Sequence, residues 1–199
     1  MKNLILWLVA CLSLGKAFAL THLKDEYLIA YGNPQAPVHV IHYFSFLCPN
    51  CSSLFQREFR ELKNKFIDTD QVYWTFHPVP MDMLTLQGME CLQKLSPKEK
   101  QIFLEAILEE TALEDPSLCA CLMEKAMDVF KKPLPELQKK SYLSSTASFQ
   151  DAFLFLSQKE TITAVPTVEM NGKLYLKDIP DSQFIEQKLK ELISHEKDV

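Results

Sequence analysis

HYFSFLCPNCSSLF, residues 42–55, places two cysteines around Pro-Asn where an apolar run ends and a helix-like pattern begins. Upstream, Val38 to Phe44 is β-branched and aromatic, the composition of a buried strand. Downstream, Phe55, Phe59, Leu62 and Phe66 recur at helical spacing. Cys48 therefore falls at a helix N-terminus, where unpaired backbone N–H groups and the positive dipole end favour a thiolate. Pro49 is tolerated in the first turn because its missing N–H would lack a partner there anyway. Cys51, one turn further in, points inward and is placed to attack a mixed disulfide formed at Cys48.

The same spacing also suits an inert disulfide or a zinc knuckle. Four thiols, those of Cys48, Cys51, Cys119 and Cys121, could in principle ligate zinc. A knuckle is usually built on short glycine-containing loops, and here a strand precedes the pair and a helix follows it. On a helix, Cys119 and Cys121 would also lie about 200° apart. A redox dithiol fits better.

The compartment comes from the first residues. Lys2 starts the chain with positive charge, Leu4 to Leu14 is apolar, and Ala17-Phe18-Ala19 has the form of a signal-peptidase site. Residues 1–19 are thus expected to be a cleaved leader, with residues 20–199 exported to a periplasmic space. Leu8-Val9-Ala10-Cys11 offers a second reading, a lipobox that would anchor the chain through Cys11. Loss of Cys11 leaves Cys48, Cys51, Cys91, Cys119 and Cys121, an odd set in an oxidising compartment, so at least one thiol is free or exchanging. The net charge of −5 shows no basic cluster against it, which argues against nucleic acid as a partner. None of the four glycines builds a phosphate-cradling loop, so nucleotide chemistry is excluded.

Beyond the first helix, Val72 to Phe76 reads as a second strand, ended by His77-Pro78-Val79-Pro80. From about 81 to 160 the pattern is helical, punctuated by Pro97, Pro116, Pro133 and Pro135. Leu84, Cys91, Leu92 and Leu95 are expected on one buried face, and Leu118, Leu122, Ala126 and Val129 on another. Pro166 to Leu176 reads as a hairpin turning at Asn171-Gly172, and a last helix buries Ile185, Leu189, Leu192 and Ile193. Strand, helix and strand make a right-handed parallel unit that the late hairpin closes. The expected fold is α/β, thioredoxin-like, with a helical insertion subdomain.

Phe44-Ser45-Phe46-Leu47-Cys48-Pro49-Asn50-Cys51 closely resembles the F-S-F-x-C-P-H-C segment of DsbA-type thiol:disulfide oxidoreductases in the thioredoxin superfamily. Gly32-Asn33-Pro34-Gln35-Ala36-Pro37-Val38 looks like that family's lead-in, and Val165-Pro166-Thr167 with Asn171-Gly172-Lys173 like its cis-proline loop. The resemblance covers essentially the whole mature chain. It implies a cis Val165–Pro166 bond beside the dithiol, where an extended substrate can pair. Two residues depart from the pattern. Asn50 stands where the family has histidine, and His42 where it has a buried acid, which makes His42 a candidate for moving a proton to or from Cys51.

The expected activity is dithiol–disulfide exchange on reduced or unfolded exported proteins. Cys48 attacks, Cys51 resolves, and Pro49, Asn50, His42, Val165 and Pro166 tune or position. Resemblance implies reoxidation by a DsbB-like membrane partner, and no cofactor or metal is expected. A periplasmic reductase and a metal-binding module are the alternatives, while residues 20–31 are too few for the dimerisation domain of an isomerase. The chain is expected to be a monomer. Cys91 and Cys119 are candidates for a second disulfide inside the insertion, leaving Cys121 as the odd thiol. His22, His39 and His195 read as solvated or half-buried, and His77 as a strand-end cap. The Asn50-Cys51-Ser52 sequon is coincidental, since a glycan there would block the dithiol.

Overall fold

The computed structural model describes residues 25–110, 115–134, 150–152, 154–155, 162–175 and 182–197. The leader with Cys11, His22 and the parts of the insertion at 111–114, 135–149 and 156–161 lie outside the described residues. Among the described residues no helix is long and apolar enough to cross a membrane.

Alternating β-branched and aromatic residues form the two central strands, β2 (Val38–Phe44) and β3 (Val72–Pro78), paired parallel from Val38↔Val72 to Phe44↔Pro78. The helix between them runs from 49 to 67 and is α1 below. Two of its stretches, Phe55–Phe59 and Lys63–Ile67, are wound as π-helix. It buries Phe55, Phe59, Leu62 and Phe66 against Trp74 and Phe76 of β3, as the spacing requires. These aromatics meet mostly edge to face; Phe59 and Phe76, for example, lie 5.0 Å or less apart, at 4.9 Å and 76°.

The closing hairpin is present as β4 (Thr167–Met170) and β5 (Lys173–Tyr175). Its turn has φ of 45° at Asn171 and 80° at Gly172, the left-handed pair expected of Asn-Gly. Asn171 also pins the turn to β2, its N–H donating to His39 O and its Oδ1 accepting from His39 N. A short edge strand, β1 (Ile29–Tyr31), was not expected; it pairs antiparallel with β3 and completes the order β1-β3-β2-β4-β5. Gly32 ends it at a φ of 89°, where a Cβ would come within 2.7 Å of Val72 O.

Three helices of the insertion are described: α2 (Met83–Leu92), α3 (Pro97–Leu108) and α4 (Pro116–Val129). Pro97 and Pro116 open two of them, as punctuation predicts. Asp82 and Asp115 cap α2 and α4 with side-chain oxygens that accept backbone N–H groups. In α2 the expected inner face is right in part: Cys91 and Leu92 are buried, Leu84 is half-buried, Leu95 is buried just beyond the helix, and Leu86, Gly88 and Met89 join them. In α4 it is not: Val129 is 74% exposed, and the buried stripe is Cys119, Met123, Ala126 and Met127. Cysteine and methionine, rather than leucine, fill this seam. The closing helix, α5 (Ser182–Lys197), buries Ile185, Leu189 and Ile193 as expected, while Leu192 is only half-buried.

Candidate active site

The β2–α1 connection puts Cys48 at the N-cap of α1 in extended conformation. Its carbonyl accepts from Cys51 N at 3.0 Å and Ser52 N at 3.1 Å, while its sulfur accepts from Cys51 N at 3.2 Å. Pro49 occupies the first turn and Asn50 is exposed beside it. The β2–β4 ladder, with Tyr43 opposite Thr167, brings the second loop to the same place. There the Val165–Pro166 bond is cis, and Val165 O lies 3.6 Å from Cys48 Sγ. The dithiol, Val165 and Pro166 therefore meet, as the sequence suggested.

The two sulfurs differ electrostatically. Hydrogen bonding from the Cys51 thiol pulls Cys48 below the ordinary thiol value, burial opposes this, and the amides of Cys51 and Asn50 add to the pull. Burial pushes Cys51 well above that value, and the bond to Cys48 pushes it further. Of the pair, Cys48 is therefore the more readily ionised sulfur and Cys51 the one that holds its proton more tightly. Cys91 and Cys119 are fully buried on α2 and α4, which pack together, and burial pushes each thiol up to about 12. All five described thiols are unbridged, and Cys121 is exposed.

His42 is buried in the sheet between Trp74 and Phe76, its ring 4.9 Å from that of Phe76, and its Nε2 has no hydrogen-bond partner among the described residues. Desolvation lowers its pKa to about 3, so the ring is neutral. Unfolded, the imidazole takes up a proton near pH 6.5, and folded it does not until far lower. Its contribution is intact above that pH and is lost as pH falls from 6.5 towards 3, by up to about 1.4 kcal/mol per pH unit. His42→Leu is expected to flatten that dependence, as denaturant unfolding between pH 7 and 4 would read. His77 is buried at the end of β3 with Nδ1 3.1 Å from Pro78 O, and His39 is exposed.

Three residues at the site were not singled out from sequence: Ser45, Asp82 and Thr85, joined by hydrogen bonds beneath the Cys48 loop. An Asp before a helical run is an N-cap signal and could have marked Asp82. Gly88 was also missed. It lets α2 approach so closely that a Cβ there would sit 2.3 Å from the Phe46 ring.

Residues 24–190 match the sequence model of the family described as thioredoxin. The chain belongs to the thioredoxin family. Among thioredoxin-fold structures, BdbD from Bacillus subtilis superimposes with a TM-score of 0.69 at 22% identity, covering 87% of this chain and 96% of that one. Wolbachia pipientis alpha-DsbA1 gives 0.61 at 17% identity over 85% and 91%. By sequence, disulfide bond formation protein D of Bacillus subtilis is 27% identical over 173 residues, 80% of this chain and 76% of its own. A Rickettsia conorii protein that carries the name protein-disulfide oxidoreductase is 40% identical over 57 residues, and the aligned part spans only 21% of that relative's length. The fold of this chain is that of the DsbA-type structures.

Proposed function

We propose that the protein is an exported dithiol oxidase that passes a Cys48–Cys51 disulfide to reduced client proteins. A client thiolate attacks Cys48 Sγ, the Cys48–Cys51 bond breaks, and Cys51 leaves as a thiolate that takes up a proton. The client's second thiolate then attacks its own sulfur in the mixed disulfide and expels Cys48 as a thiolate. The client loses two electrons and the dithiol gains them; a DsbB-like membrane partner restores the disulfide. The carrying observation is the split between a low-pKa Cys48 at a helix start and a high-pKa Cys51 beneath it. The name of the Bacillus relative, disulfide bond formation protein D, supports the same direction. Oxidation of a dithiol peptide, with the dithiol's equilibrium against glutathione, tests the reading; a strongly reducing equilibrium would favour the reductase instead. Metal analysis of the purified protein separates this reading from a metal-binding module.

Pro166 and Val165 position the client in this reading. His42, the sequence's candidate proton carrier, is held neutral by burial against Trp74 and Phe76, so His42→Ala is expected to leave the pH–rate profile of exchange unchanged near neutral pH, and a shifted profile would restore it to the mechanism. Cys91 and Cys119 pair when the protein is fully oxidised, and mass mapping of that form checks the bridge. Asn50 sets the strength of the oxidant. A cationic histidine there would add charge to the hydrogen bonding at Cys48, and charge-assisted bonds are about twice as strong as neutral ones. Asn50→His is therefore expected to lower the Cys48 pKa by about one unit and make the glutathione equilibrium about tenfold more oxidising, ~30 mV for two electrons. No change in either quantity would exclude residue 50 from tuning the site.

A further inference from the structure

Two hydrogen-bond chains leave the loop that presents Cys48 and converge on one oxygen. The amide of Phe46 donates to Thr85 Oγ1 at 3.2 Å, and that hydroxyl lies 2.7 Å from Asp82 Oδ2. The amide of Leu47 donates to Ser45 Oγ at 3.1 Å, and that hydroxyl donates to the same Asp82 Oδ2 at 2.7 Å. The remaining carboxylate oxygen, Oδ1, accepts from Thr85 N at 2.7 Å as the cap of α2. Two hydroxyl donors on one oxygen suit an ionised carboxylate, which only accepts. The two residues immediately before Cys48 are thus wired to a fixed negative charge.

We propose that Asp82 positions the Cys48 loop and holds the dithiol to a weaker oxidising power than the helix terminus alone would give it. The proposal rests on the dithiol oxidoreductase reading and adds a residue to it. Asp82 is a positioning residue, acting on Cys48 through the loop and through its field. Around Cys48 lie the Cys51 thiol, the amides of α1 and Val165 O, and the Asp82 carboxylate reaches its loop through Ser45 and Thr85. The charge of Asp82 raises the Cys48 pKa, against the hydrogen bonds that lower it, and it also pushes up the neighbouring Cys119. A negative charge disfavours the thiolate, and with it the reduced dithiol, so the disulfide is less oxidising.

Asp82→Asn and Asp82→Ser test this, because both side chains are strong N-caps and neither is charged. In both variants the Cys48 pKa should fall by roughly half a unit, read by thiolate absorbance, and the equilibrium with glutathione should become about threefold more oxidising. A residue that merely supports the fold would lower the melting temperature and leave both quantities in place. Two folded variants with an unchanged Cys48 pKa and unchanged equilibrium would overturn the proposal. Should the wild-type dithiol fail to exchange with glutathione at all, the oxidoreductase reading falls, while the Cys48 titration still decides what Asp82 does.

Discussion

Replacing Cys51 by Ala is expected to turn the protein into a trap, while Cys48→Ser abolishes exchange entirely. Cys48 is the sulfur whose pKa is lowered, and it sits at the N-cap of α1; no other described thiol combines the two. Without Cys51, an attack by Cys48 on a client disulfide has no buried thiol to resolve it, so mixed disulfides accumulate. Non-reducing electrophoresis of the variant with a disulfide peptide reads the adduct directly. Cys91 and Cys119, held near 12 by burial, should not substitute for either partner. Appreciable turnover in Cys48→Ser would mean that another sulfur carries the chemistry.

Gly88→Ala is expected to be the most damaging single methyl group in the insertion. Its Cβ would meet Phe46 Cε2 at 2.3 Å and Cδ2 at 2.6 Å, and Phe46 is fully buried with no room to withdraw. Overpacking of this kind costs about 3 kcal/mol, and the better helix propensity of alanine returns less than about 1 kcal/mol. For a domain of this size that is a fall of roughly 5–10 °C in melting temperature. Phe46 lies two residues before Cys48, so the loop would also shift, and slower exchange should accompany the lost stability. A melting curve that matches the wild type would show that α2 can slide away without cost.

Much of this was legible because period and composition act locally. The β-branched run ending at Cys48, the phenylalanine spacing of α1 and the Asn-Gly turn each specify one element with little help from the rest of the chain. The dithiol and Val165-Pro166-Thr167 were readable from motif, and the β2–β4 pairing explains why they meet. What escaped depended on tertiary contact. Three residues of β1 are too few to declare a period, and they form a strand because β3 offers an open edge. The α4 face was misassigned because Cys119, Met123 and Met127 carry weaker apolar signals than Leu118 and Leu122. Ser45, Asp82 and Thr85 are ordinary residues alone, Ser45 standing 37 and 40 positions from the other two, and become a unit only when α2 docks under the Cys48 loop.

The β2–β4 ladder sets Cys48 and Val165 side by side, although the helical insertion is threaded between them along the chain. The reactive sulfur and the carbonyl facing it are therefore gauged by one short stretch of hydrogen-bonded backbone. Helices can lengthen, shorten or exchange their outer residues without altering that spacing. Distance and surroundings are separable in such a layout: the ladder fixes how far the sulfur stands from the carbonyl, while the insertion supplies the side chains, Asp82 and Thr85 among them, that hold the Cys48 loop.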